Sequence, residues 1–305
     1  MKKVSVIIPC FNATKYLPKC FMSLVQQTIG IDQIELIFVD DASTDEDATW
    51  NMLQEFERAY PESIKILKLE ENMRQGGARN VALQYATGEY IAFVDADDFV
   101  SENFLLETYE KAKESDADII QFEYFYYTDR LGAVDSGRNI TPEVIEISSV
   151  SDRKRFLISE KVTYGCWNKL YRHTLLNEAH TAYAEHVIYE EPLFVYPLLY
   201  FANKIVILND AYYYYRQNDS GTMRNDMRQE ETLKMHADVQ LAVWNFMKKT
   251  PFFKEYYDEI KLYFLHTYLY ETLYFAKLRD FKPSYSFYKE LEKTILAEVP
   301  DYAQS

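Results

Sequence analysis

The sequence predicts an α/β protein with a mostly parallel sheet flanked by helices and a helical extension at its C-terminus. In the first portion, apolar runs alternate strictly with helical patterns, which is typical of parallel sheets covered on both faces. One run, Tyr90 to Val94, is unbroken, as expected of a strand buried on both sides. From about Asn225, repeated long helical patterns replace the alternation. We therefore predict a first domain over residues 1–225 and a helical extension over residues 226–305.

The elements of the first portion can be assigned in order. The predicted strands are Val4 to Pro9, Ile34 to Val39, Ile64 to Leu69, Tyr90 to Val94 and Asp118 to Phe122. The predicted helices are Tyr16 to Gln27, one opened by a Ser43–Glu46 capping box and running to about Ala59, Ala78 to Tyr85 ended by Gly88, and one from Ser101. Before the third helix, Gly76 and Gly77 indicate either a close backbone approach or a tight turn.

The later elements are less regular. We expect a long excursion or a pair of irregular strands over about Tyr124 to Val150, then a helix that starts after Ser151 and runs to Glu160. Ile205 to Leu208 and Ala211 to Arg216 resemble an edge hairpin. The C-terminal helices should break near Pro251 and Pro283. An aromatic-rich helix over Phe253 to Leu278 should pack on the first domain, although a second copy of the chain or a membrane surface are alternative partners.

Composition excludes several classes of function. The formal net charge is −15 and the pI is near 4.9, which disfavours nucleic-acid partners and offers no general attraction to anionic lipid. The three cysteines are scattered, so neither a zinc site nor a disulfide framework is expected. The apolar N-terminal run enters a strand pattern and does not resemble a signal peptide, and no run reaches transmembrane length. These features favour a cytoplasmic protein.

Three acids, Asp95, Asp97 and Asp98, follow the buried run within four positions. Ligands of open α/β sheets bind at the carboxyl ends of the strands, where these acids should lie. Neighbouring carboxylates repel each other, and a hard divalent cation such as Mg²⁺ or Mn²⁺ relieves that repulsion. The alternative is an acidic turn that caps the next helix.

Other polar residues are predicted to reach the same edge. Phe11 follows the first strand, and Asp40 and Asp41 end the second. Glu190 and Glu191 precede Pro192, a residue suited to the first helical turn, so Glu191 should be an N-cap residue or its neighbour. Helix capping alone would also explain each of these acids.

A third group combines an aromatic ring with cations. Trp167, Lys169 and Arg172 fall within six residues, and Arg216 follows a run of tyrosines. The cations could stabilise an anionic leaving group such as a nucleoside diphosphate, and a glutamate could remove a proton from an incoming hydroxyl. A helix start with solvated basic residues is the alternative. This chemistry does not by itself distinguish sugar transfer from nucleotidyl transfer.

Seven segments in order carry a resemblance to a known family. They are VSVIIPCFN, IELIFVDDASTDE, ENMRQGGARNVAL, GEYIAFVDADD, WNKLYR, YEEPLF and YYYYRQNDSGTMR. Together they resemble family 2 glycosyltransferases of the Rossmann-like GT-A fold, of the type that builds bacterial surface polysaccharides. The resemblance covers residues 1 to about 225. It implies inverting transfer from a nucleotide sugar, usually a UDP-sugar, with Mn²⁺ or Mg²⁺.

The resemblance also implies roles for individual residues. Pro9 and Phe11 would line the nucleotide pocket, Asp41 with Asp40 would hold the uracil, and Arg79 would contact the base or its phosphate. The metal would bind at Asp97 and Asp95, with Asp95 also near the ribose and Asp98 as a further candidate ligand. Trp167, Lys169, Arg172 and Arg216 would contact the leaving group or acceptor.

The chain departs from the family at one catalytic position. The family's acidic pair usually reads Glu-Asp, with the Asp as base, whereas this chain reads Glu190-Glu191. Glu191 therefore takes the base position with one extra methylene. The departure supports an alternative function, a degenerate protein that binds a nucleotide sugar or scaffolds an assembly.

A sugar-phosphate nucleotidyltransferase is a further alternative, but the loop after the first strand lacks glycine. For the transferase, the expected acceptor is a glycan or a lipid-linked sugar. A lipid-linked acceptor would place the protein at the inner face of the plasma membrane, as a peripheral protein. The aromatic C-terminal helices are a candidate surface for homodimerisation.

Overall fold

The computed structural model describes residues 2–138, 140–217, 230–278 and 280–304. Within these residues the strands are β1 Val4–Cys10, β2 Ile34–Asp40, β3 Ile64–Lys68, β4 Tyr90–Phe93, β5 Phe99–Val100, β6 Ile119–Thr128, β7 Gly132–Asp135, β8 Glu143–Glu146, β9 Lys169–Arg172 and β10 Lys204–Arg216. The α-helices are α1 Leu17–Val25, α2 Ala48–Ala59, α3 Arg74–Leu83, α4 Phe104–Ser115, α5 Val150–Leu157, α6 His173–Ala179, α7 Glu191–Leu198, α8 Glu230–Met247, α9 Tyr257–Leu265, α10 Thr272–Leu278 and α11 Tyr285–Glu298. A π-helical turn, His266–Glu271, joins α9 to α10, and short 3₁₀ turns cover Ile31–Gln33 and Pro300–Gln304.

The strands form one sheet in the order β3-β2-β1-β4-β9-β6-β10-β5, with β7 beside β6 and β8 beside β10. The first four strands in this order are parallel, as are β6 and β10. Strand β9 lies antiparallel between β4 and β6. The predicted α/β class is confirmed, and the sheet is mixed outside its parallel first half. The alternating elements are joined by helical crossovers, as parallel strands require.

Strand β4 is the centre of the core. All four of its residues are fully buried. Successive side chains point to opposite faces of a sheet. Tyr90 and Ala92 accordingly join the hydrophobic cluster on one face, and Ile91 and Phe93 join the cluster on the other. The predicted strand buried on both faces is confirmed.

The predicted capping box at Ser43 and Glu46 is wrong. Helix α2 begins only at Ala48, and its N-cap residue Asp47 makes no capping hydrogen bond. The Asp45 carboxylate accepts from the Thr49 N–H of the first turn instead. The Ser43 hydroxyl instead accepts a hydrogen bond from the backbone N–H of Asn12 at 3.0 Å. This bond links the loop after β1 to the loop after β2, which competes with local capping.

The glycines of the third βα unit are placed differently from the prediction. Gly76 and Gly77 lie inside α3, so the tight turn is wrong. The close approach is confirmed, because a Cβ on Gly76 would lie 2.2 Å from the carbonyl oxygen of Ala184. Gly88 does not end α3. A Cβ there would lie 2.4 Å from the Ser5 nitrogen, so this glycine allows the chain to pass against β1.

Other boundaries also differ. Helix α4 begins at Phe104 rather than Ser101. The predicted hairpin ending at Arg216 is one long strand, β10, whose register against β6 shifts twice between Ile207 and Tyr213. After Tyr124, the end of β6 is followed by β7 and β8, which confirms the predicted alternative of a pair of irregular strands. Bulges let β10 bend and remain one strand, a change that hydrophobic patterning does not reveal.

The C-terminal helices pack on the first domain. Tyr263 of α9 stacks on Tyr196 of α7, with ring centroids 3.6 Å apart and an interplanar angle of 14°. Residues of α8, α9 and α11 belong to the same hydrophobic cluster as β4. The predicted boundary at residue 225 lies outside the described residues, and the division into two domains stays a prediction. In the described ranges, none of the helices has the length and apolarity needed to cross a bilayer.

Candidate active site

The parallel strands bring the predicted site residues to one edge of the sheet. Cys10, the last residue of β1, pairs with Asp40, the last residue of β2. Strand β4 pairs with β1 up to Phe93, two residues before Asp95. The loops after these three strands therefore emerge side by side, which is where open α/β sheets bind ligands.

Asp40 and Asp41 are both buried in the loop after β2. The Asp41 Oδ1 atom accepts a hydrogen bond from the Met73 N–H at 2.7 Å, and burial raises the pKa of Asp41 to about 6. The Asp40 Oδ1 atom accepts from the Ser43 N–H at 3.1 Å. Its other oxygen, Oδ2, is buried with no hydrogen-bond partner among the described residues. A buried acceptor of this kind is costly unless a ligand donates to it.

The loop after β1 is rigidly tied to the loop after β2. The Asn12 side chain donates to the Thr44 hydroxyl at 3.1 Å and accepts from the Thr44 N–H at 2.8 Å. Pro9 is buried within β1, whereas the ring of Phe11 is 47% exposed next to these bonds. Phe11 is thus a half-exposed aromatic ring at the same edge as Asp40.

Arg79 links two of the predicted groups. It is buried, and it donates through Nη2 to Asp95 Oδ1 at 2.6 Å and through Nη1 to Glu190 Oε1 at 2.5 Å. The predicted contact of Arg79 with the nucleotide does not fit this burial. Arg79 instead holds the loop after β4 and the acid pair before α7 at fixed positions around one guanidinium group.

Asp98 is bonded to the protein. Its Oδ2 atom accepts from the Tyr213 hydroxyl at 2.7 Å, and its Oδ1 atom accepts from the Arg216 N–H at 2.6 Å. Burial, with the nearby charges of Asp97 and Asp95, raises the pKa of Asp98 well above its ordinary value. Asp98 therefore joins β10 to the loop after β4. The prediction that Asp98 is a metal ligand does not fit these bonds, because both of its oxygens already accept hydrogen bonds from β10.

The remaining two acids of the loop have the chemistry of a Mg²⁺ or Mn²⁺ site. The side chains of Asp95 and Asp97 are partly exposed at the edge. Such ions are commonly held by one or two carboxylates, with substrate phosphates and water completing the shell. Within residues 2–138, 140–217, 230–278 and 280–304, no three His, Cys, Asp or Glu side chains cluster as a complete metal site. Two carboxylates plus a diphosphate are compatible with that result.

Arg216 lies beside this loop. Its Nε atom donates to the Asp97 carbonyl oxygen at 2.7 Å, and its Nη1 atom pairs with Asp129 at 2.7 Å. The guanidinium also lies over the rings of Tyr16 and Tyr127, 4.5 and 5.0 Å from their centroids. The structure thus places this predicted cation next to the predicted metal ligands.

Glu191 is the first residue of α7, as predicted, and Glu190 is the N-cap. The two neighbours have different surroundings. Glu190 is paired with Arg79, whereas the Glu191 Oε1 atom accepts from the Cys166 N–H at 2.8 Å. Burial, with the charge of Glu190, raises the pKa of Glu191 to about 7. Environments that separate two carboxylates in this way are typical of sites that contain an acid or base acting near neutral pH.

The second cation group is not brought together. Lys169 is fully buried, its Nζ donates to Gly165 O at 2.6 Å and to Thr163 Oγ1 at 3.0 Å, and burial lowers its pKa to about 7. Arg172 pairs with Tyr90 at the start of β4, at the opposite edge of the sheet, and binds Asp116 and Asp118. The position of Arg172 at the opposite edge does not fit its predicted leaving-group contact, whereas the contact predicted for Lys169 stays a prediction. Strand β9 runs antiparallel to β4, which sequence patterning did not reveal.

Two groups at this edge were missed by sequence analysis. The Tyr213 hydroxyl accepts from the Asp95 N–H at 3.0 Å while it donates to Asp98. The Cys166 N–H orients Glu191. Tyr213 lies in a run of four tyrosines, so residue type alone could not single it out, and a backbone donor such as Cys166 leaves no signal in a sequence.

The fold and the acids at its carboxyl edge are compatible with a glycosyltransferase, and comparison with known proteins shows that class. The model of the family "Glycosyl transferase family 2" matches residues 5–179, and the chain belongs to that family. This finding confirms the resemblance seen in the sequence.

Individual relatives are bacterial glycosyltransferases. Glycosyltransferase GlyG of Streptococcus pneumoniae serotype 4 is 31% identical over 73% of this chain and 73% of its own length. The poly(ribitol-phosphate) β-N-acetylglucosaminyltransferase TarS of Staphylococcus aureus is 30% identical over 72% of this chain. The aligned part is only 36% of TarS, and only 32% of a Bacillus spizizenii poly(ribitol-phosphate) β-glucosyltransferase.

Solved structures confirm the GT-A fold. The crystal structure of S. aureus TarS 1-349 in complex with UDP superposes with a TM-score of 0.72 at 24% identity. The match covers 98% of this chain and 81% of that one. The C-terminal helices are therefore included in the structural match, beyond the range of the family model.

Proposed function

We propose that this glycosyltransferase is an inverting enzyme that moves a sugar from a UDP-sugar to a hydroxyl group of a glycan or lipid-linked acceptor in the synthesis of a cell-surface polysaccharide. The observation that carries the proposal is the Arg79 guanidinium, which binds both Asp95 in the loop after β4 and Glu190 in the acid pair. An in-line reaction needs both groups beside the same anomeric carbon.

The donor half of the proposal rests on the loops after β1, β2 and β4. The unpartnered Asp40 Oδ2 atom offers an acceptor to the N–H of a uracil ring, and Phe11 offers an aromatic face. Asp41 orients the loop through Met73. Relatives support the donor class, since TarS has been crystallised with UDP and with UDP-GlcNAc.

Asp95 and Asp97 would hold Mn²⁺ or Mg²⁺ together with the diphosphate. A bound ion would neutralise the phosphates and stabilise the departing UDP as a Lewis acid. Arg216, which is buried beside Asp97, would add positive charge near the same leaving group. Trp167 lies next to Cys166, on the side of the base, where the acceptor must enter.

The base half of the proposal assigns the proton transfer to Glu191. The acceptor hydroxyl gives its proton to the Glu191 carboxylate while its oxygen bonds to the anomeric carbon. The bond between that carbon and the phosphate oxygen breaks, and UDP leaves with the electron pair. Attack opposite the leaving group inverts the anomeric centre. Glu190 positions this machinery through Arg79 and does not itself take the proton.

A calorimetric titration tests the donor half. UDP, GDP and common UDP-sugars are titrated with and without Mn²⁺ into the wild type, Asp97→Ala and the control Asp258→Ala, whose carboxylate is exposed on α9. We expect manganese-dependent UDP binding that Asp97→Ala abolishes and Asp258→Ala preserves. Absence of nucleotide binding by the folded wild type would overturn the proposal.

The alternative of a degenerate binding protein is tested at the base. It predicts that UDP and metal still bind but that no substitution at Glu191 alters turnover. Glu191→Gln should instead lower the rate of transfer and leave UDP affinity within about twofold of the wild type. Dimerisation, membrane association and a cytoplasmic location remain predictions.

A further inference from the structure

Four aromatic residues form a shelf at the end of β6 and β10, and the reaction proposed above assigns a place near the acceptor only to Trp167 among them. We define the aromatic shelf as Tyr124, Tyr126, Trp167 and Tyr215. Trp167 and Tyr215 are stacked, with centroids 5.3 Å apart and an interplanar angle of 10°. Tyr124 meets Trp167 edge-on at 4.8 Å, and Tyr126 lies 6.2 Å from Tyr215.

The shelf is accessible, in contrast to the aromatic residues of the core. Tyr126 is 38% exposed, and the other three are partly exposed. On the other side of the same two strands, Tyr214 stacks on Phe99 at 4.5 Å. Those two rings are also partly exposed. The shelf presents its rings to solvent at the functional edge of the sheet.

The shelf connects the two halves of the proposed reaction centre. Trp167 contacts Tyr213, whose hydroxyl binds Asp98 and receives the Asp95 N–H. Trp167 also directly follows Cys166, whose N–H holds Glu191. Burial raises the pKa of Tyr215, and the charges of Asp98, Asp95, Asp97 and Glu191 add to the shift.

We propose that the aromatic shelf binds a neutral pyranose unit of the acceptor next to Glu191. This proposal rests on the function proposed above and names the class of acceptor. The apolar face of a sugar ring packs on an aromatic face, while its hydroxyl groups stay available for reaction. The sheet order places the shelf on the opposite side of β4 from Asp40, so it is separated from the strands assigned to uridine.

The charge around the shelf argues against a phosphate-bearing polyol on these rings. Arg138 interacts with Tyr124, but its guanidinium is already paired with buried Glu123 at 3.7 Å. The acids at the edge add negative charge. An anionic unit would therefore meet repulsion that a neutral sugar does not.

Saturation-transfer NMR tests the proposal on protein loaded with UDP and Mg²⁺. The probes are the methyl glycosides of glucose, galactose and N-acetylglucosamine, with ribitol 5-phosphate as the anionic comparison. The variants are Tyr126→Ala and Tyr215→Ala. The control is Tyr270→Ala, which removes a 58% exposed tyrosine from the π-helical turn.

We expect at least one glycoside to receive saturation from the wild type and from Tyr270→Ala. The signal should be at least fivefold weaker in Tyr126→Ala and Tyr215→Ala, while UDP affinity stays within twofold. The proposal is overturned if no glycoside is saturated by the UDP-bound wild type, if the signal survives both substitutions, or if ribitol 5-phosphate binds more strongly. A loss of UDP affinity in a folded shelf variant would assign the rings to the donor and also overturn it. Failure of the wild type to bind UDP would instead overturn the proposed function.

Discussion

Arg79 and Glu190, 111 positions apart in the sequence, form a buried ion pair with 2.5 Å between Nη1 and Oε1. The same guanidinium binds Asp95 on its other side. Removal of one partner from a buried ion pair leaves a charge without compensation. The geometry of the site and the stability of the fold therefore depend together on Arg79.

The first prediction concerns Arg79→Ala. It should lower the free energy of unfolding by about 3 kcal/mol, because it leaves two carboxylates without their cation. It should also lower transfer at least 100-fold, since Asp95 and the positioning residue Glu190 both lose their anchor. Urea denaturation and a transfer assay measure the two effects. Arg172→Ala is the matched control at the opposite edge, and it should keep most of the activity; equal losses in both variants would contradict the site.

The second prediction concerns Glu191. Glu191→Gln should lower kcat about 100-fold or more, because a positioned base contributes roughly 10²–10⁴-fold. Glu191→Asp should retain part of the activity, since it restores the usual acid of the family with a shorter side chain. Measurement of kcat and the KM of the donor separates the roles, and a raised donor KM with unchanged kcat would remove Glu191 from the base position.

The third prediction is a pH dependence of activity. Because the pKa of Glu191 is raised to about 7, the carboxylate that accepts the proton forms only as the pH rises through that value. The value of kcat/KM for the acceptor should therefore rise tenfold per pH unit below about 7 and level off above it. A flat profile between pH 5 and 8 would show that another group takes the proton.

The fourth prediction is the matching pH dependence of stability. Glu191 binds its proton more tightly in the folded state than in the unfolded state, where its pKa is about 4.3. Its contribution is therefore most favourable below about pH 4.3 and is lost as the pH rises toward 7. Asp41, with a pKa of about 6, acts with the same sign.

Replacement of Glu191 by Gln should remove on the order of 2 kcal/mol of this pH dependence. Free energies of unfolding from urea titrations of both proteins at pH 5, 6, 7 and 8 provide the measurement. Parallel curves for the two proteins would contradict the raised pKa.

The fifth prediction separates the acids of the loop after β4. Asp98→Asn should destabilise the fold by about 1–3 kcal/mol, because it weakens the acceptor for the Tyr213 hydroxyl and the Arg216 N–H. Asp97→Asn should leave the free energy of unfolding within about 0.5 kcal/mol. It should remove the effect of Mn²⁺ on UDP binding. Chemical denaturation and calorimetry on both variants would show whether the two roles are exchanged.

The outcome at β4 shows what patterning can predict. An unbroken apolar run needs burial on both faces, so the strand, its central position and the acids at its end all follow from local residue types. The N-terminal position of Glu191 on α7 follows similarly from Pro192. The parallel strands then bring Asp40 and Asp95 to one edge without further information.

The errors have a common physical cause. Arg172 lies close to Trp167 in the sequence. Because β9 runs antiparallel to β4, however, Arg172 lies at the opposite edge of the sheet. Ser43 and Glu46 match the sequence pattern of a capping box, but the Ser43 hydroxyl accepts a hydrogen bond from the N–H of Asn12 in a different loop. The burial of Arg79 and Lys169 depends on contacts from distant segments. Local composition contains no information on these contacts.

The stack of Tyr196 and Tyr263 has a consequence for protein engineering. Tyr196 belongs to α7, the helix that begins with Glu191, and Tyr263 belongs to a C-terminal helix. Tyr189, just before the acid pair, stacks on Phe275 of the same C-terminal region at 5.8 Å. A chimera that exchanges the C-terminal helices to alter acceptor choice would also replace the supports of the base. Such a chimera would have to exchange α7 and the loop before it together with the C-terminal helices.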